Sequence, residues 1–383
     1  MADIKPIGGL GKFTAVALIA AIVGGALFFM GMNEPTIWQS YHFAFVSWSF
    51  FTCGCLAMVI LINLTRGTWG YPMLRFFESG VKYGLPLMFL GALGMLAMKG
   101  HIFEWANPEI VANSDFYQKK TKLWLAEDFF MIRQIVYFAF WMLVAYTMMH
   151  LYKKEDQTGD EKHFLKRTVL AAPFAVFFVI TLSFAATDWV MSLEEFWFST
   201  IYGLLVTVGS ALGATAACIL YLVGMWKHEP YKYLLTVKQL RDMGNLTLTL
   251  VILWAYMSFS QYLIIWSGNL PEEIIYFVKR REGFWMQVGT ALVFLHFLMP
   301  FFLLLSSRLK RTPAMLGGTV IFILLMRVVD LIWNVIPSFG RTVQLSDIGA
   351  FLMFGGVWFL AFTFALAKVE PTPRYSLLPK EAH

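Results

Sequence analysis

The chain has 383 residues, of which 58% are hydrophobic and 14% are charged, and its mean hydropathy is +0.64. A soluble domain carries about 25% charged residues, so this composition excludes a water-soluble globular protein and predicts a polytopic membrane protein. The net charge of +6 comes from Lys and Arg residues in the connections between apolar runs. That distribution is typical of membrane topology, and nucleic-acid binding is not expected.

Ten apolar runs follow one another along the chain, each close to or above the roughly 20 residues that a membrane-spanning helix needs. They cover residues 13–31, 41–64, 81–98, 129–151, 169–187, 198–226, 246–267, 284–305, 315–336 and 348–367. Polar and apolar residues do not alternate within them, which argues against a membrane β-barrel. The predicted fold is an all-α integral membrane protein of about ten transmembrane helices, the first being an uncleaved anchor.

The basic residues in the connections indicate an orientation. Lys and Arg are more frequent at the termini and in the even-numbered connections than in the odd-numbered ones. Because Lys and Arg accumulate in cytoplasmic loops, both termini are predicted to be cytoplasmic. The odd-numbered connections still carry two basic groups, at residues 119–122 and 279–281.

Cysteines and histidines are the residues that would bind a metal or haem in this chain. Cys53, Cys55 and Cys218 lie inside apolar runs at spacings that fit neither zinc nor iron–sulfur sites, so buried packing is expected. Only His42 and His296 lie within runs, and their depths differ by roughly 15–20 Å at 1.5 Å per residue, which disfavours a shared haem. No cofactor is expected in this chain.

The connection at residues 188–197 contains three carboxylates and two tryptophans but no Lys or Arg. One interpretation is an anchor whose indoles lie at the membrane–water interface. The other is a proton exit or docking patch, because carboxylates at a dry interface can have raised affinity for protons. Asp188 is the strongest candidate for that second role, since it directly follows an apolar run.

Charged residues inside the runs gather toward the predicted outer face, where each is costly to keep. Arg327 and Asp330 lie three residues apart on the ninth run and are predicted to share a helix face. Arg133, His42 and Asp347 are predicted at a similar level. These residues are either structural ion partners or the outer end of a proton route.

Glu78 and Lys82 form a contrasting pair, four residues apart at the cytoplasmic end of the third run. In a proton route they would lie at the inner entrance, and only His296 would titrate in the middle. Hydroxyl and amide groups on the sixth and seventh runs could hold relay waters or simply join helices. The small-x-x-x-small spacings at residues 80–84 and 209–213 predict close helix contacts.

Two longer stretches resemble a known family. Residues 186–194 (ATDWVMSLE) with 197–203 (WFSTIYG), and residues 259–273 (FSQYLIIWSGNLPEE), are similar to the F subunit (ActF) of bacterial alternative complex III. That subunit belongs to the NrfD/polysulfide-reductase C-like integral membrane family. The resemblance in the number and order of runs covers nearly the whole chain.

The resemblance implies an architecture and a location. Two four-helix bundles are expected, with a peripheral helix on either side of them in the sequence and a cytoplasmic tail, all in the bacterial inner membrane. The implied ranges are 13–31 for the first peripheral helix, 41–187 and 198–336 for the bundles, 348–367 for the second peripheral helix and 368–383 for the tail.

The resemblance also implies partners. Alternative complex III is a quinol:cytochrome c (electron acceptor) oxidoreductase of respiratory and photosynthetic electron-transfer chains, and its F subunit is a cofactor-free membrane partner. The implied partners are a related NrfD-like membrane subunit, a periplasmic iron–sulfur subunit, multihaem cytochrome c subunits, lipids and a terminal oxidase. Haem c and iron–sulfur clusters would lie in those subunits, and quinol would be the substrate of the complex.

Within the matching motifs, Asp188, Gln261 and Glu272 are expected at the outer mouth of a proton path. The full set of proton-path candidates is Glu78, Lys82, Arg133, Asp188, Gln261, Glu272, His296, Arg327 and Asp330. His42, Arg133 and Asp188 are the candidates for quinone contact, although no family motif assigns that role to them.

The leading hypothesis is a membrane subunit that assists assembly and is a candidate for proton translocation. It is not expected to catalyse alone, because quinol's two electrons would have no acceptor in this chain. The alternatives are a purely structural scaffold and an independent secondary transporter. The absence of a clear internal repeat disfavours the transporter.

Overall fold

The computed structural model describes residues 10–229 and 231–371, except for the side chains of Thr68, Tyr233, Leu234 and Glu272. In this part of the chain, ten helices are long and apolar enough to cross a membrane, and all ten predicted runs correspond to them. They are α1 Leu10–Met30, α2 Ile37–Thr65, α3 Tyr71–Ala97, α4 Glu127–Thr158, α5 Glu161–Trp189, α6 Tyr202–Gly224, α7 Val237–Gly268, α8 Gly283–Leu305, α9 Pro313–Val335 and α10 Leu345–Leu366. The described residues contain no β-strand. The protein is an all-α multi-pass membrane protein, as predicted.

Several helices extend beyond the apolar runs into polar sequence. α7 begins nine residues before its run, and a capping box formed by Thr236 and Gln239 satisfies backbone N–H groups at its first turn. α4 continues through charged residues to Thr158 and ends at Gly159, which adopts a left-handed conformation with φ of 67°. Composition therefore predicted the membrane-spanning part of each helix, whereas capping residues decide where the helix ends.

The helices form two rings of four. In the first bundle α2 packs on α3, α3 on α4, α4 on α5 and α5 on α2, and α6 to α9 form a second ring in the same order. The rings meet where α2 and α5 pack against α6. α10 covers α2 and α3 from outside, and α1 lies along α10. Two four-helix bundles with two outer helices are the predicted architecture.

The connections at the two ends of the bundles differ in length. One end carries the connections at residues 31–36, 98–126, 190–201, 269–282 and 336–344, and we call it the long-loop face. The other end carries the connections at residues 66–70, 159–160, 225–236 and 306–312, and we call it the short-loop face. The long-loop face also holds the amphipathic helix Pro271–Arg280, which we call the interfacial helix. The sequence predicts that the long-loop face is the outer one.

α8 is interrupted by a π-helical segment, Leu292–Leu298. Pro300 follows this segment and has no backbone N–H, so it cannot bond to the carbonyl of residue 296, and its ring crowds that carbonyl. The widened turn relieves the conflict and leaves His296 inside the altered segment. π-helical turns are frequent at functional sites.

Candidate functional site

The first bundle contains a buried carboxylate that accepts five hydrogen bonds. Asp188 lies near the end of α5 and its exposed fraction is 0%. Arg133 on α4 binds both carboxylate oxygens, through Nε (2.9 Å) and Nη2 (2.8 Å). Gln134 Nε2 (3.1 Å), the Tyr137 hydroxyl (3.0 Å) and Trp124 Nε1 (3.0 Å) supply the other donors. We call these five residues the Asp188 cluster.

The Asp188 cluster is sealed by aromatic rings. The Arg133 guanidinium carbon lies 4.1 Å from the centre of the Trp124 ring and 4.5 Å from that of Phe129. His42 does not touch the carboxylate. Its Nε2 donates to the Trp189 carbonyl oxygen (2.7 Å). Of the three residues proposed to contact quinone, Arg133 and Asp188 therefore bind each other, and His42 binds the residue that follows Asp188. Because Asp188 and His42 are fully buried, the geometry is that of a satisfied ion pair rather than an accessible binding surface.

The second bundle contains another buried Arg–Asp pair. Arg327 Nη1 binds Asp330 Oδ2 on the same face of α9, as the spacing predicts. The other oxygen, Oδ1, accepts from Asn334 Nδ2 at 3.2 Å, and the Trp254 side chain on α7 lines the same cavity as Asp330. Arg327 is accommodated because Gly209 on α6 has no side chain. A Cβ there would lie 2.7 Å from Arg327 Nη2.

His296 lies beside this pair. Its ring packs edge-on against the Trp254 indole with centroids 4.2 Å apart. The side chain is fully buried, and neither ring nitrogen has a hydrogen-bond partner among the described residues. We call His296, Trp254, Arg327, Asp330 and Asn334 the Asp330 cluster. The sequence predicted Arg327 and Asp330 as a pair and His296 as a separate candidate.

A hydrogen-bonded chain leads from Asp330 to the long-loop face. Asn334 Oδ1 accepts from the hydroxyl of Tyr276 (3.3 Å), which lies on the interfacial helix. Tyr276 stacks on Trp197 with ring centroids 3.9 Å apart. It also lines a cavity of about 200 Å³ that contains Glu104, Glu194 and Glu195. Burial raises the pKa of Tyr276 to about 12, so its hydroxyl remains a donor at neutral pH.

The Arg327–Asp330 pair separates two larger cavities. Asp330 lines a cavity of about 540 Å³ between α7, α8, α9 and the interfacial helix, which we call the aromatic cavity. Arg327 lines a more apolar cavity of about 460 Å³ where α1, α2, α6, α9 and α10 meet. Gln261, predicted at the outer mouth, also lines the aromatic cavity. The side chain of Glu272 lies outside the described residues.

At the short-loop face the predicted pairing of Glu78 with Lys82 is wrong. Glu78 pairs with Arg75 one turn earlier (2.6 Å), and Arg75 also binds Asp156 at the end of α4. The Lys82 ammonium instead lies 5.4 Å from the centre of the Tyr83 ring. Arg75 is the partner because its guanidinium can bridge two acids, whereas a lysine offers one compact charge.

The two glutamates of residues 188–197 are paired with residues from other connections. Glu194 binds Lys279 (2.5 Å) and Arg280 (3.4 Å), and Glu195 accepts from Ser114 (2.5 Å). The basic groups predicted on the outer side are thus partly explained as counter-ions. Nearby, burial and the adjacent Glu104 raise the pKa of Tyr117.

Sequence reasoning missed the neutral members of both clusters. Trp124, Gln134, Tyr137 and Asn334 carry no charge, so a search for ionisable residues does not select them. Helical spacing offered one signal, because residues 133, 134 and 137 share a face of α4 and residues 330 and 334 share a face of α9. Trp254 had no such signal, since it comes from a different helix.

The described residues contain no group of three or more His, Cys, Asp or Glu side chains that could hold a metal ion. The three cysteines are buried and free, as predicted. No family model matches the chain, and no curated protein matches it. The fold and the two clusters define the class: a multi-pass helical membrane protein with one buried Arg–Asp cluster in each of two four-helix bundles.

Proposed function

We propose that the chain is a cofactor-free membrane subunit of a quinol:cytochrome c (electron acceptor) oxidoreductase of the alternative complex III type, and that its second bundle conducts protons. The observation that carries the proposal is the buried Asp330 carboxylate, which lines the aromatic cavity and is linked by the hydrogen bonds of Asn334 and Tyr276 to the acidic cavity on the long-loop face. The Asn334 amide holds the carboxylate in place, and water in the cavities would carry the proton past it. Ionisable residues at membrane depth commonly mark proton relays and ion pathways.

The Arg327–Asp330 pair would act as the gate of this route. It forms the wall between two cavities, and protonation of Asp330 would remove the attraction that holds the pair together. His296 has two free ring nitrogens beside the pair and is the group placed to take or supply that proton. Glu78, on the short-loop face, is the predicted inner acid, and internal waters would have to bridge the interval to it.

The partners follow from the same proposal. A periplasmic iron–sulfur subunit and multihaem cytochrome c subunits would carry the electrons, using iron–sulfur clusters and haem c, and would dock on the long-loop face. A related NrfD-like membrane subunit and lipids would surround the helices in the bacterial inner membrane. A terminal oxidase would be an electron acceptor of the complex. The termini would be cytoplasmic.

The proposal is tested by Asp330→Asn in the assembled complex, reconstituted in vesicles with quinol and the electron acceptor. We expect the number of protons released per electron to fall, because the amide cannot cycle a proton and Arg327 stays unpaired. The matched control is Asp160→Asn, an exposed N-cap of α5 where asparagine caps equally well.

A structural scaffold is the second candidate, and the Asp188 cluster favours it. A carboxylate that accepts five hydrogen bonds and is fully buried ties α4 to α5 and to the connection carrying Trp124. Unchanged proton stoichiometry and turnover in an assembled Asp330→Asn complex would select this scaffold role over proton conduction.

A further inference from the structure

A pocket with a basic lining opens on the short-loop face, where the start of α7 meets the connection between α8 and α9. Lys238 and Arg241 on α7 and Arg311 in the connection line it, together with Asp242 and Asn245. Its volume of about 480 Å³ lies within the range of small-molecule sites, roughly 300–1,000 Å³. We call it the basic pocket.

The positive charges of the basic pocket have no counter-ions within the part of the chain that the structure describes. Lys238, Arg241 and Arg311 are exposed, and none of them forms an ion pair. Because Asp242 is the one carboxylate in the lining, the lining has a net charge of +2. The first turn of α7 also lacks an acidic residue, although a helix N-terminus favours anions over cations.

A further lysine is buried behind the basic pocket. Lys310 is 7% exposed, and its stem crosses α7 at Gly244, where a Cβ would lie 2.7 Å from Lys310 Cγ. Its ammonium donates to Asn245 Oδ1 at 2.6 Å, which is a neutral acceptor. Burial and the neighbouring charge of Arg241 lower the pKa of Lys310. Burying a cation without a carboxylate is costly, so the fold keeps a further positive charge where an anion in the pocket would stabilise it.

The basic pocket lies at the level of a lipid head group. Ile252 follows Arg241 by eleven residues, about three turns along the same face of α7, and is exposed. Leu305 at the end of α8 and Met315 in the first turn of α9 are exposed too. These apolar side chains would contact acyl chains. Membrane topology alone explains basic residues in this connection, but it requires neither their convergence on one pocket nor the burial of Lys310.

We propose that the basic pocket binds the head group of an anionic phospholipid with two phosphodiester groups, of the cardiolipin class. Two phosphates, each with one negative charge, match the net charge of +2, whereas a lipid with one phosphate would neutralise half of it. Arg241 and Arg311 each carry a planar fork of N–H donors suited to a phosphate. Basic pockets between membrane helices are known to bind such head groups. The bound lipid would hold the start of α7 against the α8–α9 connection.

The test titrates the full chain in an uncharged detergent with cardiolipin and counts the bound lipid by native mass spectrometry. We expect Arg241→Gln combined with Arg311→Gln to weaken binding about thirtyfold, or about 2 kcal/mol at 1.4 kcal/mol per factor of ten, because both forked donors are lost. The matched control is Lys153→Gln combined with Lys166→Gln, which removes two exposed charges at the same end of the bundles but outside the pocket. This control should bind like the unaltered chain. An equal loss in both double variants would show general charge attraction and overturn the inference.

A second measurement uses only the unaltered chain and so does not depend on how variants fold. In phosphatidylcholine nanodiscs containing a little cardiolipin with a photoreactive head group, labelling should concentrate in residues 237–245 and 306–312. Displacement of the probe by inorganic phosphate would identify a soluble phosphate ligand instead of a lipid. Equal labelling of both ends of the bundles would show that the pocket is not selective. Either result would overturn the inference.

Discussion

At Asp188 a single carboxylate shows how a charge is kept inside a membrane bundle. Arg133 neutralises it in a two-point geometry, and three neutral donors occupy its remaining lone-pair directions. A buried ion pair adds little net stability by itself, but removing one partner leaves the other charged, buried and uncompensated. Removing only the charge of Asp188 is therefore expected to lower the stability of the protein strongly.

Asp188→Asn is expected to destabilise the protein by about 3–5 kcal/mol, because Arg133 loses its counter-ion in a sealed site. Unfolding in mixed detergent–SDS micelles measures the loss. Exposed Glu109→Gln serves as the control for removing a carboxylate and should be close to neutral.

The double variant Asp188→Asn with Arg133→Gln separates pairing from packing. If the pair is the cause, the double variant should lose less stability than the two single changes add up to. Strictly additive losses would show that the two side chains act independently, contrary to the geometry.

At the scale of helices, small residues decide where charged side chains can lie. The spacing of Gly209 and Gly213 predicts a close helix contact, and the structure gives the two glycines different surroundings. Gly209 faces the Arg327 guanidinium, whereas the nearest atom to a Cβ at Gly213 would be 3.9 Å away, in Phe51. The first glycine thus makes room for the ion pair of α9.

Gly209→Ala is expected to cost about 1–3 kcal/mol, as other overpacked sites do, and to lower proton release together with stability. Gly213→Ala on the same helix should be tolerated, since its added methyl group meets only ordinary van der Waals contact. Thermal unfolding midpoints and the vesicle assay check both variants. Equal effects at the two glycines would contradict the assigned role of Gly209.

At the scale of the whole molecule, the distribution of charge serves both topology and assembly. The basic residues on the long-loop face are exceptions to the accumulation of Lys and Arg in the cytoplasmic connections. Lys279 and Arg280 bind Glu194, and Arg341 binds Asp347 through both carboxylate oxygens. These ion pairs join two connections of that face to each other and a third connection to the first turn of α10.

The predicted orientation is tested by single cysteines at two exposed lysines, Lys119→Cys on the long-loop face and Lys162→Cys at the start of α5. In intact bacterial cells a membrane-impermeant maleimide should label the cysteine at residue 119 only. After permeabilisation of the cells it should label the cysteines at both positions. The unaltered chain is the control, because its three cysteines are buried. Labelling of residue 162 alone in intact cells would show that the predicted orientation is inverted.

The sequence by itself determined the class of fold, the number of helices and the identity of most charged candidates. Hydrophobic run length decides what can cross a bilayer, and a charge inside such a run is rare enough to be noticed. The pairing of Arg327 with Asp330 was also predictable, because a spacing of three residues places two side chains on the same face of a helix.

The tertiary structure alone decided which residues meet across helices. Asp188 acquires partners about 50 to 60 positions away, and His296 meets Trp254 only because α7 packs against α8. The two larger cavities have the same origin, because residues from several helices line each of them. Periodicity describes neighbours along one helix, whereas contacts between helices depend on their rotation and packing, which a local pattern does not encode.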